Sequence, residues 1–347
     1  ERFTKFGAAG RARLTSGEYA QLTGRAGRRG LDDEGHAVVA WTPETALADV
    51  ARVATAAPPD LHSAFRPTYN LAVNLIRRFD RSTALQVLRR SFAQWQAAAV
   101  PGRHGVNHGH DSLATLFGRR LAVLEELGYV DGWRLTTPGE RLARIYHESD
   151  LLVAEIMSGD AVAGSEPSVM AGILSALVFE RRRVRHVAGR ARRPGRGTAP
   201  AATERPGRER AKAVKGDRLG ENRRAELAAR LSVVLHEADR VRALEEAHVV
   251  PRTRQPEPGL AAAVASWARG ASFATALQVA EAEVGEVAPG DFVRTLKQVA
   301  DLAAQVSVAA DDPATAAAAG EAARLLLRDV AAAQRPEASA TADGARS

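Results

Sequence analysis

Seven residues near the start of the chain, GRAGRRG from Gly24 to Gly30, hold three glycines, three arginines and one alanine. Such a run does not belong in a core. Arginine is almost never fully buried without a partner, and glycine inside a helix or strand costs about 0.5–1 kcal/mol against alanine. The stretch therefore reads as a surface turn that something anionic approaches closely. Before it, TSGEY predicts a helix start, with Thr15 or Ser16 as N-cap and Glu18 able to close a capping box from Thr15. After it, Ala37 to Trp41 is a continuous apolar run closed by Pro43, and it predicts a buried strand entered through the DDEG turn. Helix, glycine–arginine turn and buried strand follow one another in the way that α/β sheets use.

From Phe65 the pattern turns helical. Leu71, Leu75 and Phe79 recur at four-residue steps, and Leu85, Leu88, Phe92 and Trp95 continue the series. Residues 101–111, PGRHGVNHGHD, read as loop. Leu113, Leu116, Phe117, Leu121, Leu124 and Leu127 then form one apolar stripe, with Gly128 as its C-cap. YVDGWRL predicts a hairpin turning at Asp131-Gly132. TTPGE predicts a helix with Thr137 as N-cap, Pro138 in its first position and Glu140 closing a capping box. Helix, hairpin, helix is the outline of a winged-helix element. Helices follow over 150–186, about 221–248, 259–285, 291–308 and 314–333. In the helix from Asp291, read as its N-cap, Phe292, Leu296, Val299, Ala303 and Val306 make an apolar face. Arg294, Lys297, Gln298, Asp301 and Gln305 make the polar one.

Charge narrows the partners. The chain of 347 residues carries a formal +7, which by itself suggests nucleic acid. The excess is local, however. Arg181 to Arg224 holds 14 arginines and 2 lysines against 4 acids, a net of +12 that leaves −5 for the rest. Residues 188–220 lack any periodicity and read as a disordered basic linker, and 335–347 as a frayed tail. Cysteine is absent, so disulfides and thiolate zinc sites are excluded and a cytoplasmic location is the default expectation. No apolar run reaches the ~18 residues a membrane helix needs. His104, His108, His110 and Asp111 carry metal-ligating atoms but sit in a glycine-rich loop, and no metal site is assigned to them. The first residue is Glu1, and the chain reads as a piece of something longer.

The pattern Gln21-x-x-Gly24-Arg25-x-Gly27-Arg28 suits phosphoryl transfer. That chemistry asks a protein mainly for positioning and for positive charge on the developing oxygens, and guanidinium groups fork onto phosphate in a bidentate way. Arg25 and Arg28, three residues apart, are expected on one side of a helical turn. The stretch YAQLTGRAGRRGLDDEG resembles the last conserved motif of superfamily 2 helicases. The form is that of superkiller-type (Ski-like) DExH-box RNA helicases and their actinobacterial HelY-like relatives. KFG at Lys5, LTSGEY before the motif and LDDEGHAVVA after it are also family-like, as are FRPTYNLAVNLI, RRSFAQWQ, the stretch from LEELGYVDGWRL to VAEIM, and that from SWARGASF to LAAQVS.

The resemblance implies a mainly α fold: the C-terminal edge of an α/β RecA-like domain over 1–57, a winged-helix region over 58–149, and a ratchet-type helical bundle over 150–187 and 221–334. It implies ATP with Mg²⁺ as cofactors, held mainly by domains upstream, with Gln21 and Gly24 ordering the nucleotide site and Arg25 and Arg28 as arginine fingers. It makes the helix from Asp291 the one lying across single-stranded RNA, with Arg294 and Lys297 on phosphates and Gln298 and Asp301 beside them. Periodicity alone reads that helix as an ordinary amphipathic one. Structured or single-stranded RNA and RNA-degradation machinery are the implied partners, with no membrane, and a monomer is expected. The family's arch insertion is replaced here by the short loop at 101–111. A phosphate-cradling G-x-x-x-x-G-K-[ST] loop and an acidic metal-binding box are missing from the sequence, so the chain alone is expected to be inactive. Two other readings stay open: a non-enzymatic nucleic-acid-binding module, and a DNA-repair helicase of the same superfamily.

Overall fold

The computed structural model describes residues 3–7, 10–27, 30–40, 45–57, 61, 63, 65–99, 113–181 and 218–328. They fall into two compact units, the first ending at Ser63 and the second holding the remainder.

In the first unit, β1 (Thr4–Gly7) and β2 (Gly10–Arg13) form an antiparallel hairpin in which Thr4 faces Arg13 and Gly7 faces Gly10. Helix α1 (Ser16–Thr23) begins at the expected capping box: Thr15 Oγ1 accepts from the Glu18 amide at 3.4 Å, and the Glu18 carboxylate accepts from the Thr15 amide at 2.9 Å. Helix α2 (Leu47–Ala54) was not anticipated. Its Asp49 carboxylate takes Arg13 and Arg52, each at 2.7 Å, and so ties β2 to α2. The predicted strand at Ala37 to Trp41 is not formed where it is described, since Ala37 to Ala40 is exposed and has no regular structure. A buried strand needs neighbours for its N–H and C=O groups. Among the described residues, β1 and β2 pair only with each other.

The second unit is helical. Helix α3 (Tyr69–Arg78) is capped by Thr68 and α4 (Arg81–Arg89) by Asp80. The series expected to run on through Trp95 breaks at Ser91, whose hydroxyl bonds the Leu88 carbonyl at 2.7 Å and accepts from the Gln94 amide at 3.3 Å, starting α5 (Phe92–Ala99). Leu88 is buried, but Phe79, Phe92 and Trp95 are exposed, contrary to their place in the apolar series. Helix α6 (Leu113–Glu126) is followed by Gly128 in the left-handed region at φ +74. The hairpin β3 (Val130–Asp131) and β4 (Arg134–Leu135) then forms as expected, but one residue later: Asp131 pairs with Arg134, so the turn is Gly132-Trp133. Only Gly132 has a positive φ (+60), the type II′ pattern. Helix α7 (Thr137–Leu142) is capped by Thr136 and not Thr137. The Thr136 hydroxyl also donates to the Gly128 carbonyl at 2.6 Å, and this closes the hairpin onto the helix.

Helices α8 (Asp150–Ser158) and α9 (Pro167–Val178) supply the centre. Ten consecutive residues of α9, Ser168 to Leu177, are buried, as a helix apolar on all sides must be. Around it lie α10 (Arg218–Ala247), α11 (Ala261–Ala268), α13 (Pro289–Ala309) and α14 (Pro313–Leu326). The expected helix over 259–285 is two helices, α11 and α12 (Phe273–Val284), reached through a 3₁₀ turn at Pro258–Leu260. Between them Gly270 adopts φ +100 and Ser272 caps α12 through the Thr275 amide at 3.1 Å. RGAS thus combines a stop and a start. Helix α10 begins at Arg218, inside the stretch read as linker; the rest of 188–220, the loop 101–111 and the tail 335–347 lie outside the described residues. Helix α14 ends at Leu326, earlier than the expected 333; the Arg328 side chain beyond it donates to the Trp267 carbonyl at 2.8 Å, and 329–333 lie outside the described residues. Among the described residues, no helix is long and apolar enough to cross a membrane.

Candidate functional site

Two sets of residues carry the predicted chemistry, one in each unit. In the first unit α1 presents Gln21 on its exposed side and ends at Thr23, with Gly24 as C-cap. Arg25 is exposed in the turn that follows, where the Ala26 amide donates to the Thr23 carbonyl at 2.9 Å. Arg25 is thus on a turn beyond the helix, not on a helical face as its spacing suggested; Arg28 lies outside the described residues. The glycines have a reason of their own. Gly27 adopts φ +84, and a Cβ built on Gly35 would collide with the Ala26 carbonyl. The turn is closed by its own downstream segment, and glycine at 35 permits that approach. Gln21 and Arg25 offer an amide and a guanidinium to an anion.

In the second unit α13 separates its faces as the periodicity predicted. Phe292, Leu296, Val299, Ala303 and Val306 are all buried, whereas Arg294, Gln298 and Asp301 are exposed and Lys297 is half-buried. The four polar residues occupy two neighbouring rows on one side of the helix. Helix α13 starts at Pro289, so Asp291 is its third residue and not the N-cap; there it suits the positive end of the helix dipole and takes Arg294 at 2.8 Å. An exposed i,i+3 pair of this kind is worth well under 1 kcal/mol, so a stronger anion can draw Arg294 away. Further along, the Gln305 side chain accepts from the Tyr146 amide at 2.6 Å, and Arg144 donates to the Val308 carbonyl at 3.3 Å. The second half of α13 is thereby pinned to the loop after α7.

Sequence reading missed a buried polar group within the second unit. Arg120 on α6 is 8% exposed, with its guanidinium carbon 5.2 Å from the Tyr69 ring centre. The Tyr69 hydroxyl donates to Glu245 at 3.2 Å, and Thr253 donates its hydroxyl to the same carboxylate at 2.6 Å. Asp150 accepts from the amides of Asn70 at 2.6 Å and Leu151 at 2.8 Å. No local motif announces this group, because its members come from α3, α6, α8, α10 and the loop after it. Burial pushes the Asp150 carboxyl up to about 6 against the hydrogen bonds that favour its charge. The sign follows from linkage: the folded state holds a proton that the unfolded chain has released between about pH 4 and 6, so stability falls as pH rises through that window. The expected fall is roughly 2–3 kcal/mol, and Asp150→Asn should remove it; urea denaturation at several pH values is the measurement.

A cavity of about 260 Å³ among α9, α10, α11 and α12 has Arg223, Arg224 and Arg269 among its lining residues, but none of the predicted site residues. Among the described residues no group of His, Asp and Glu is arranged to hold a metal; the histidines at 104, 108 and 110 lie outside them.

The elements from the hairpin turn through α14 have a counterpart among known families: residues 132–333, more than half of the chain, match the DSHCT (NUC185) domain. The chain belongs to the DSHCT family. It is 44% identical over 131 residues to the probable helicase HelY of Mycobacterium tuberculosis, covering 36% of this chain and 14% of that protein. It is 34% identical over 154 residues to superkiller complex protein 2 of Homo sapiens, with 42% and 12% covered. With the exosome RNA helicase MTR4 of Mus musculus it shares 37% over 90 residues, with 26% and 9% covered. The resemblance to Ski-like helicases is thus matched by stretches shared with relatives named as helicases, and α13 falls inside the DSHCT match. These matches span no more than 14% of the relatives' own length.

Proposed function

We propose that this DSHCT-family chain is the C-terminal part of an ATP-dependent RNA helicase. In this reading it guides single-stranded RNA along the polar face of α13 and lends Arg25 and Arg28 to a nucleotide bound by upstream domains. The observation that carries the reading is the division of α13: inside the DSHCT match, a helix that buries one whole face keeps two cations, an amide and a carboxylate on the other. Phosphates are held by Arg294 and Lys297, and a base edge is met by Gln298 and Asp301. A strand that must slide calls for contacts of this kind, individually weak and tolerant of sequence. The helix–hairpin–helix of α6, β3–β4 and α7 serves as a winged-helix element that buttresses it. ATP with Mg²⁺ supplies the driving reaction in the complete protein; Gln21 orders the turn and the guanidiniums meet the charge that develops on the phosphoryl oxygens. Cytoplasmic RNA and its degradation machinery are the partners this reading calls for.

The test is ATP hydrolysis by the complete protein and by the 347-residue chain, with RNA or DNA added. RNA-stimulated turnover by the complete protein and none by the chain alone is expected, since arginine fingers without a nucleotide cradle have nothing to act on. Stimulation by DNA only would favour a repair helicase of the same superfamily, and full tolerance of changes at Arg25 and Arg28 a non-enzymatic binding module.

A further inference from the structure

Helix α5 holds an aromatic pair that the packing of the second unit does not use. The Phe92 and Trp95 rings lie 5.5 Å apart with planes within 17° of parallel, and the two residues are 49% and 62% exposed. The pair is held in place, because the Gln94 side chain between them accepts from the Leu113 amide at 2.9 Å and ties α5 to α6. The sequence leading to it is basic. From Arg77 to Gln96 there are five arginines and a single acid, Asp80. That carboxylate is occupied by Ser82 and Thr83 at 2.6–3.0 Å, which hold it well below the usual carboxylate range. Arg77 is partly engaged by Glu140 at 3.5 Å, whereas Arg89 and Arg90, just before the stack, are exposed. A positioned aromatic face beside net positive charge is what single-stranded nucleic acid requires, because every base has a π face and every nucleotide a phosphate.

We propose that the Phe92–Trp95 stack with Arg89 and Arg90 is a second single-stranded RNA contact, distinct from α13. A base stacks on the outer face of the Trp95 indole, and the two guanidiniums take the flanking phosphates. The inference rests on the RNA-binding reading given above and adds a site to it. The charge balance favours RNA over an apolar protein partner or a second copy of the chain.

The experiment is titration of the 347-residue chain with a fluorescein-labelled oligouridylate of about twelve nucleotides, following anisotropy and tryptophan emission. Trp95→Ala is expected to weaken binding by about 5- to 100-fold and to abolish quenching of the exposed indole, whereas Trp95→Phe keeps affinity within about threefold. Circular dichroism should be unchanged, since the side chain is not part of the core. Wild-type affinity in Trp95→Ala, together with a loss in an Arg294→Ala, Lys297→Ala double variant, overturns this inference and leaves the α13 reading standing. If Trp95→Ala alters only self-association in sedimentation, the stack is an interface between copies and the proposal falls. Failure of the wild-type chain to bind the oligonucleotide overturns both.

Discussion

ATP turnover of the complete protein is expected to fall by about 10³–10⁵ on changing Arg28 to alanine, the range found when an arginine finger is removed. RNA affinity should change by less than about tenfold, because the finger meets charge that develops in the transition state and contributes little to the ground state. Arg25→Ala belongs to the same experiment: Arg25 is exposed on a turn closed by Gly27 and Gly35, with no place in a core to lose. A fall in turnover therefore cannot be ascribed to unfolding. Arg25→Lys, which keeps the charge but not the bidentate fork, should recover only part of the loss. Turnover within about tenfold of wild type for Arg28→Ala would remove the assigned role.

The second large effect is on stability. Trp267 on α11 is 1% exposed and joins three helices. Its indole N–H donates to the Leu326 carbonyl at the end of α14 at 3.1 Å, and its ring meets Phe273 of α12 edge-on at 5.9 Å. The Arg328 guanidinium lies 3.7 Å over its face and donates to the Trp267 carbonyl at 2.8 Å. Trp267→Ala is expected to cost about 3–5 kcal/mol through the cavity it leaves, with a further contribution from the lost cation–π contact with Arg328. Trp267→Phe should cost less, losing the hydrogen bond and part of the stack. Urea unfolding of the chain measures both; a loss below about 1 kcal/mol for the alanine variant would mean that the helices are not joined at this ring.

The sequence was most informative where a local signal decides local structure. The Thr15 capping box, Gly128 as helix stop and both faces of α13 are where residue spacing puts them, since each depends on contacts within a turn or two. Boundaries slipped by one to a few residues: Thr136 caps α7 although Thr137, of the same type, stands beside it, and α13 starts at Pro289, two residues before Asp291, after Ala288, an N-cap that makes no side-chain bond. The Ala37 to Trp41 run illustrates a different limit. Its composition suits a strand, but a strand exists only with partners, and composition does not supply them. Phe92 and Trp95 fit an apolar series by spacing, yet the break at Ser91 leaves them exposed. The Tyr69, Arg120, Asp150 and Glu245 group was illegible for the opposite reason: its members are up to 176 residues apart, and its three charged members are of types that mostly lie on the surface. For the candidate site, the residue types were legible and the geometry was not. Spacing put Arg25 on a helical face, whereas Gly24 ends the helix before it.

The account depends most on the polar face of α13 holding a nucleic-acid backbone. Its most direct measurement is the salt dependence of single-stranded RNA binding by the chain, wild type against the Arg294→Ala, Lys297→Ala double variant. Each phosphate contact contributes about 0.7 to the slope of log affinity against log salt. The account predicts a slope shallower by about 1.4, with weaker binding at every salt concentration. An unchanged slope, with wild-type affinity, would contradict it.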